Sequence, residues 1–235
     1  MNEKVIALNS GGFDSVVMLH RLVIDDNKDV ISLFFNYGQR NSAKERECAR
    51  KVANNLGLEH IEIDLPPINW SASSLYDSTQ DSTNQYIEMR NLIFISYATS
   101  LAESRGVRDI YLAYINPEGE YYLDCSPRFV EGLNDFLSVV NMRVHTPMIN
   151  TVKEDFVFDI RYFGIKREDI FTCNTPKEVE GELVPCEECS DCKTLNEMFN
   201  YAETYRLYDT YVNEGVTEEF KELYMETPIQ VQSWL

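Results

Sequence analysis

No stretch of this 235-residue chain holds the run of about 18 apolar residues that a membrane-spanning helix needs. The N-terminus passes straight into a β-branched run, without the charged and apolar segments of a secretion signal. These absences predict a cytoplasmic protein with no membrane partner. Basic residues are scarce: 21 Lys and Arg stand against 39 Asp and Glu, a formal charge of −18. Such a surface repels phosphate backbones, so no nucleic-acid partner is expected; its plain physical use is solubility. Disulfide architecture is missing too. Of six cysteines, three crowd together at Cys186, Cys189 and Cys192, a pattern of metal binding in a reducing compartment.

What is present begins at Ser10-Gly11-Gly12-Phe13-Asp14-Ser15. An apolar run, Val5 to Leu8, precedes it, and a second, Val16 to Leu19, continues at helical spacing through Leu22 and Val23. A strand turning through two glycines into a helix makes an anion site, because the backbone can approach a phosphate and unpaired N–H groups point at it. Ser10 and Ser15 add hydroxyls. Asp14 either caps the turn or meets a phosphate through Mg²⁺. No lysine follows the glycines, and neither Gly-x-Gly-x-x-Gly nor Gly-x-Ser-x-Gly fits. Ser-Gly-Gly-x-Asp-Ser resembles the pyrophosphate loop of the ATP pyrophosphatase (PP-loop) superfamily, whose members release diphosphate and transfer AMP to an oxygen.

Further along, strands are expected near Val30 to Phe35, His60 to Leu65, Asp109 to Tyr114 and Arg143 to Met148. Helices are expected after capping boxes at Ser42/Glu45 and Thr151/Glu154, over Arg90 to Glu103, over Pro127 to Val140, and from Leu195 through Leu207. The polar stretch 66–88 reads as an ordered excursion or a lid. His20, His60 and His145 read as packing residues. Strand–helix alternation predicts a parallel sheet with helices on both faces, and ligands bind such sheets beyond the carboxyl ends of the strands. With the loop's resemblance, the fold class is α/β, Rossmann-like and similar to the adenine nucleotide alpha hydrolases. Residues 1–165 form the nucleotide domain and 166–235 a small zinc-binding helical appendage. The aromatic positions of the last helix serve core or dimer packing.

Cys173 joins Cys186, Cys189 and Cys192 as a set of four thiolates, for which closed, structural Zn is the expected product. An iron–sulfur cluster is a second reading, without the Cys-Pro that often follows. A catalytic zinc would need an open position that four thiolates do not leave.

Loop and cysteines together resemble the QueC family of 7-cyano-7-deazaguanine synthases. The likeness runs through Tyr37-Gly38-Gln39-Arg40, Arg90-Asn91, Asp124-Cys125, Pro147-Met148 with Lys153, and Thr172-Cys173 with the cysteine cluster. It implies ATP-dependent conversion of a 7-deazapurine acid, 7-carboxy-7-deazaguanine, and ammonia into the nitrile through successive adenylations. ATP would contact Leu8, Asn9, Ser10, Gly11, Gly12, Phe13, Asp14, Ser15, Tyr37, Gly38 and Gln39. Asp14, Arg90 and Lys153 would be catalytic, with Mg²⁺ on the phosphates. Arg90, Asn91, Asp124 and Cys125 would hold the substrate, and a homodimer is expected.

Single residues keep plainer alternatives. Arg90 could pair with Glu88, Lys153 could be solvated, Cys125 could be a small buried apolar group, and Asp124 could cap the helix starting at Pro127. The family's Ser-Gly-Tyr-Pro-Asp-Cys-Arg-Pro-Glu-Phe is here Glu120-Tyr121-Tyr122-Leu123-Asp124-Cys125-Ser126-Pro127-Arg128-Phe129, and its Gly-Arg-Asn is Met89-Arg90-Asn91. The nucleotide and metal segments are kept while the deazapurine segment changes. Readings with a different acceptor therefore stay open: an adenylating enzyme that forms an amide or conjugates the acid to another amine, a tRNA-thiolating pyrophosphatase disfavoured by charge, or a nucleotide-binding scaffold.

Overall fold

A computed structural model of the protein describes residues 2–68, 70–77, 79, 84–115, 122–151 and 155–213. Lys153, Glu154, Asn116, Glu120 and Tyr121 lie outside the described residues, as do the side chains of Tyr205 and Leu207.

Five strands, β1 (Lys4–Leu8), β2 (Asp29–Asn36), β3 (Glu59–Asp64), β4 (Asp109–Tyr111) and β5 (Arg143–His145), form one parallel sheet in the order β3-β2-β1-β4-β5. Val5 lies opposite Val30 on one side of β1, and Ile6 opposite Ile110 on the other. Parallel neighbours cannot be joined by tight hairpins, so helices carry the crossovers: α1 (Phe13–His20), α2 (Ser42–Asn55), α3 (Arg90–Arg105) and α4 (Pro127–Leu137), followed after β5 by α5 (Asp155–Phe163) and α6 (Ser190–Asn213).

Alternation along each strand sorts the core to two faces. Ile6, Ile31, Leu33 and Ile110 meet Ile95, Ala98, Ala102, Val130 and Leu133 of α3 and α4. On the other face, Val5, Ala7 and Val30 meet Val16 and Val17 of α1, Phe156 and Ile160 of α5, and Leu195 and Met198 of α6. The expected two-sided cover is therefore observed. The chain runs outward from β1 to β3, then returns past β1 to β4 and β5, so its direction reverses between β1 and β4.

Several local expectations need correction. The helix after the glycine loop closes in a π-turn, Arg21–Asp25, where the Asp26 N–H donates to the Arg21 carbonyl at 3.0 Å. Arg21 is clamped there by both carboxylate oxygens of Asp159 (3.0 and 2.6 Å). Ser42 and Glu45 do not form a capping box. Asn41 is the N-cap, the Ser42 hydroxyl donates to the Asn36 side chain at 2.7 Å, and Glu45 turns inward. Strands β4 and β5 are three residues each, shorter than expected. Leu112 still donates to the His145 carbonyl at 2.9 Å, but Pro147 has no N–H with which to extend the ladder. Helix α4 is capped by Ser126, whose hydroxyl accepts from the Phe129 N–H, so Asp124 does not cap it.

A hairpin between Cys173 and Cys186 was not expected. Strands β6 (Lys177–Val179) and β7 (Glu182–Val184) pair antiparallel across Glu180-Gly181, both at positive φ (54° and 84°), as a two-residue turn of this twist requires. In the 66–88 stretch, the described residues are tied down. Ile68, Leu75 and Ile87 are buried in the α3-side core, and the N–H and hydroxyl of Ser74 both donate to the Asn84 carbonyl (2.8 and 3.0 Å).

Candidate active site at the carboxyl edge of the sheet

Residues 9–15 join β1 to α1, and Asn9 organises them. Buried almost completely, its amide donates to Ser32 Oγ and the Ala49 carbonyl, both at 3.0 Å, while its oxygen accepts from the Gly11 N–H at 3.0 Å. Ser15, also buried, donates to the Gly12 carbonyl at 2.9 Å and accepts from the Ser10 N–H at 3.2 Å. Gly11 has φ +73°, and a Cβ there would stand 2.3 Å from the Glu45 carbonyl oxygen and 2.9 Å from the Ala49 nitrogen. This glycine is thus demanded by helix α2 lying against it, beyond any need to admit a phosphate. Helix α1 starts at Gly12 without a side-chain cap, which leaves its first turn to an anion. Ser10 and Asp14 are exposed at that end, Phe13 packs edge-on against Phe156 at 5.3 Å, and Leu8 closes β1.

The turn after β2 is braced from within. Gln39, almost fully buried, accepts from the Tyr37 N–H (2.9 Å) and donates to the Phe35 carbonyl (3.3 Å) and to Glu45 (2.9 Å). Its side chain is spent inside the fold, while Gly38 is exposed. Glu45 also accepts from Asn41 at 2.8 Å, and burial raises its carboxyl to about 7 against those donors and Arg90.

Arg90, in the first turn of α3, does not take the alternative of an ion pair with Glu88. It donates to the Tyr37 hydroxyl at 2.9 Å and lies over the Tyr37 and Phe94 rings. Burial opposes its charge, but Tyr37, Glu45 and Asp124 outweigh that effect and hold the proton more tightly than usual. Asn91, Asp124 and Cys125 come together as expected. The Asn91 N–H donates to Asp124 Oδ2 at 3.1 Å, so the buried Asp124 caps α3 from a distant loop, and the Asn91 amide reaches Cys125 Sγ at 3.0 Å. Burial, then Asp124, push the Cys125 thiol up to about 12, which leaves it protonated and not nucleophilic near neutral pH. Tyr86 and Tyr122 stack nearby at 5.3 Å. Sequence reasoning missed Glu45, read only as a cap, and Tyr114, whose hydroxyl is buried without a hydrogen-bond partner among the described residues.

Cys173, Cys186, Cys189 and Cys192 converge with all four sulfurs within 4.8 Å of one another. Thiolates bound at about 2.3 Å around one tetrahedral ion lie about 3.8 Å apart, so the set suits a single metal ion. Burial alone would push Cys186 up, yet donors from Thr175 (3.3 Å), the Glu188 N–H and the Cys189 N–H bring it down to about 6, whereas burial pushes Cys173 and Cys192 up. This cluster adjoins the glycine loop: the Phe171 N–H donates to the Gly11 carbonyl at 3.0 Å, and Asn41 donates to the Cys173 carbonyl at 3.2 Å.

A glycine loop after β1, an arginine at the start of α3 and a four-cysteine site behind them now stand on one edge. Residues 4–203 match the family described as queuosine biosynthesis protein QueC. The chain belongs to the QueC family. Curated relatives agree. The 7-cyano-7-deazaguanine synthase 1 of Colwellia psychrerythraea is 32% identical over 213 residues, covering 85% of this chain and 94% of the relative. The 7-cyano-7-deazaguanine synthase of Methanoculleus marisnigri is 32% identical, covering 84% and 94%. Among solved structures, the U34-tRNA thiolase NcsA of Methanococcus maripaludis, determined with its [4Fe-4S] cluster, superposes with a TM-score of 0.54 at 13% identity, over 94% of this chain and 72% of that one. That likeness concerns the fold. Membership in the QueC family accounts for both sequence signatures, loop and cysteines, in one chain.

Proposed function

We propose that this QueC-family protein converts 7-carboxy-7-deazaguanine and ammonia into 7-cyano-7-deazaguanine at the expense of ATP. The observation that carries this reading is the uncapped, glycine-built start of α1 at the point where the sheet order reverses, in a chain whose relatives bear that enzyme's name. A carboxylate oxygen attacks the α-phosphorus of ATP and diphosphate leaves. Ammonia displaces AMP from the acyl-adenylate, loses a proton and leaves the amide. The amide oxygen attacks the α-phosphorus of a second ATP, releasing diphosphate and one amide proton, and departure of AMP with the second proton leaves the nitrile. No protein nucleophile is needed, which agrees with a protonated Cys125, so catalysis is positioning and charge stabilisation.

Ser10, Gly11, Gly12, Asp14 and Ser15 would hold the diphosphate. Leu8, Asn9 and Phe13 fix that loop's shape, and Tyr37, Gly38 and Gln39 shape the adenosine side. Mg²⁺ would neutralise phosphate charge beside Asp14. Arg90 would stabilise the transferring phosphate together with Lys153, and Asn91, Asp124 and Cys125 would wall the deazapurine. The cysteine site would take Zn, closed and structural, within an appendage, 166–235, to the nucleotide-binding part, 1–165. Exposed Phe136 on α4 and Val139 in the 3-10 turn after it support a homodimer, and four clustered reduced thiols support a cytoplasmic setting.

The altered segment 120–129 favours a second reading, an amide or conjugate as final product, since Leu123 there is 81% exposed and Ser126 is used as a helix cap. One assay separates the two. The protein is incubated with Mg²⁺-ATP, ammonia and 7-carboxy-7-deazaguanine, and AMP is followed with the mass of the deazapurine. Nitrile supports the first reading, amide or an adduct the second, and absence of AMP sinks both.

A further inference from the structure

We propose that the Tyr114 hydroxyl donates a hydrogen bond to the reacting carboxyl group of the acid substrate, orienting it from the β4 side of the crevice. The proposal rests on the functional reading above and adds to it a residue that fixes the acceptor. Around the edge of the sheet, most polar groups account for one another. Asn9 and Ser15 close the glycine loop, Gln39, Asn41 and Glu45 bond together, and Asn91 occupies both Asp124 and Cys125. Besides Asn41 Oδ1 and Thr172 Oγ1, which stand by the glycine loop, two atoms near this space are out of solvent and without a hydrogen-bond partner among the described residues: Arg90 Nε and the Tyr114 hydroxyl. They belong to one neighbourhood, since Arg90, Asp124 and Cys125 all act electrostatically on the Tyr114 phenol. Buried hydroxyls are rarely left unpaired, and one beside a ligand crevice is placed to bond what binds there.

Topology says what that partner is. Tyr114 lies three residues past the end of β4, and the glycine loop follows β1, the strand beside it. The order reverses between these two strands, which is where a parallel sheet opens a crevice for its ligands. With the nucleotide held by the loop after β1, the acid is placed across the crevice, over β4. Asp124 and Cys125, read above as substrate contacts, follow that same strand. Burial keeps the phenol protonated, so it acts as a donor to an acyl oxygen throughout the working range.

The test is Tyr114→Phe, which removes the hydroxyl and keeps the ring. Steady-state kinetics with each substrate varied, calorimetric binding of 7-carboxy-7-deazaguanine and thermal unfolding are measured on both proteins. A buried hydrogen bond to a charged group predicts a loss of about 10- to 100-fold in kcat/KM for the acid and a matching loss in its affinity. KM for ATP should stay within about twofold. The melting temperature should hold or rise, because an unpaired buried hydroxyl has been removed. A structural role would instead lower it and weaken both substrates together. Unchanged kcat/KM for the acid overturns the proposal while leaving the functional reading intact. Failure of the unmodified protein both to bind the acid and to release AMP overturns the functional reading, and the proposal with it. Acid binding that is lost in the variant, even without turnover, upholds the proposal.

Discussion

Met89 occupies the position where the related family carries glycine, and its φ of +52° explains that preference. A side chain in the left-handed region costs about 1–2 kcal/mol, of which glycine's greater freedom in the unfolded chain returns part. Met89→Gly should therefore stabilise the fold by roughly 0.5–1 kcal/mol, read as a higher urea midpoint at constant m-value. A loss of stability would mean that the half-exposed methionine makes packing contacts worth more than the strain. Glu45 gives a second residue-scale prediction, in pH. Its carboxyl is raised from the ordinary 4.5 to about 7 by burial, so the folded state holds the proton more tightly than the unfolded state. The associated stability is complete below about pH 4.5 and is lost as pH climbs through 7. Unfolding of the natural protein and of Glu45→Gln, compared from pH 4.5 to 8, should show the natural protein losing ground over that window; parallel curves would contradict it. Neither effect could be read from the sequence. Glu45 sits three residues after a serine, in the register of a capping box, and only the fold reveals that Asn41 starts the helix and leaves the carboxylate to face Gln39.

At the level of elements, the cysteine site and the glycine loop act on each other through residues 171–173. Phe171 holds the Gly11 carbonyl, and Asn41, which caps α2 and bonds Glu45, holds the Cys173 carbonyl. A metal ion fixing Cys173 thus steadies both walls of the anion loop. Stripping the metal with a chelator under reducing conditions should lower nucleotide affinity by about tenfold or more, with faster amide hydrogen exchange across residues 9–15 before global unfolding. Asn41→Ala in the metal-loaded protein should reproduce part of the loss, about three- to tenfold for one buried hydrogen bond. An apo protein that binds nucleotide normally would show the two elements to be independent. The cysteine spacing announced the four-thiol cluster, since cysteines two residues apart leave little other geometry. The link to the loop was hidden because it runs through main-chain groups, and the β6–β7 hairpin was hidden because its three-residue strands are exposed or half-buried and carry no apolar alternation.

Across the whole molecule, the sheet was readable because its inner strands are buried on both faces: Val30 to Phe35 is apolar save for Ser32, which bonds Asn9 and His60. The limits of β4 and β5 were not, since Leu112 and Met148 stay buried after the ladder ends. Net charge is the property that sequence and fold leave to the molecule as a whole. At −18, the far field repels ATP, tRNA and any other polyanion, and the local donors around α1 and Arg90 oppose it. Proteins that neutralise nucleic-acid phosphates bind more weakly as salt rises, with a slope near −0.9 per phosphate contacted on duplex DNA. This protein should do the opposite with its nucleotide. As the Debye length shrinks from about 30 Å at 0.01 M salt to about 8 Å at 0.15 M, repulsion at a distance fades while contacts in the crevice persist. The association rate of Mg²⁺-ATP, followed by stopped flow, should therefore rise a fewfold over that range, and tRNA should not be retained even at the low end. A rate that falls with salt would mean that a positive funnel at the crevice mouth dominates the approach, and would restore a polyanionic acceptor to consideration.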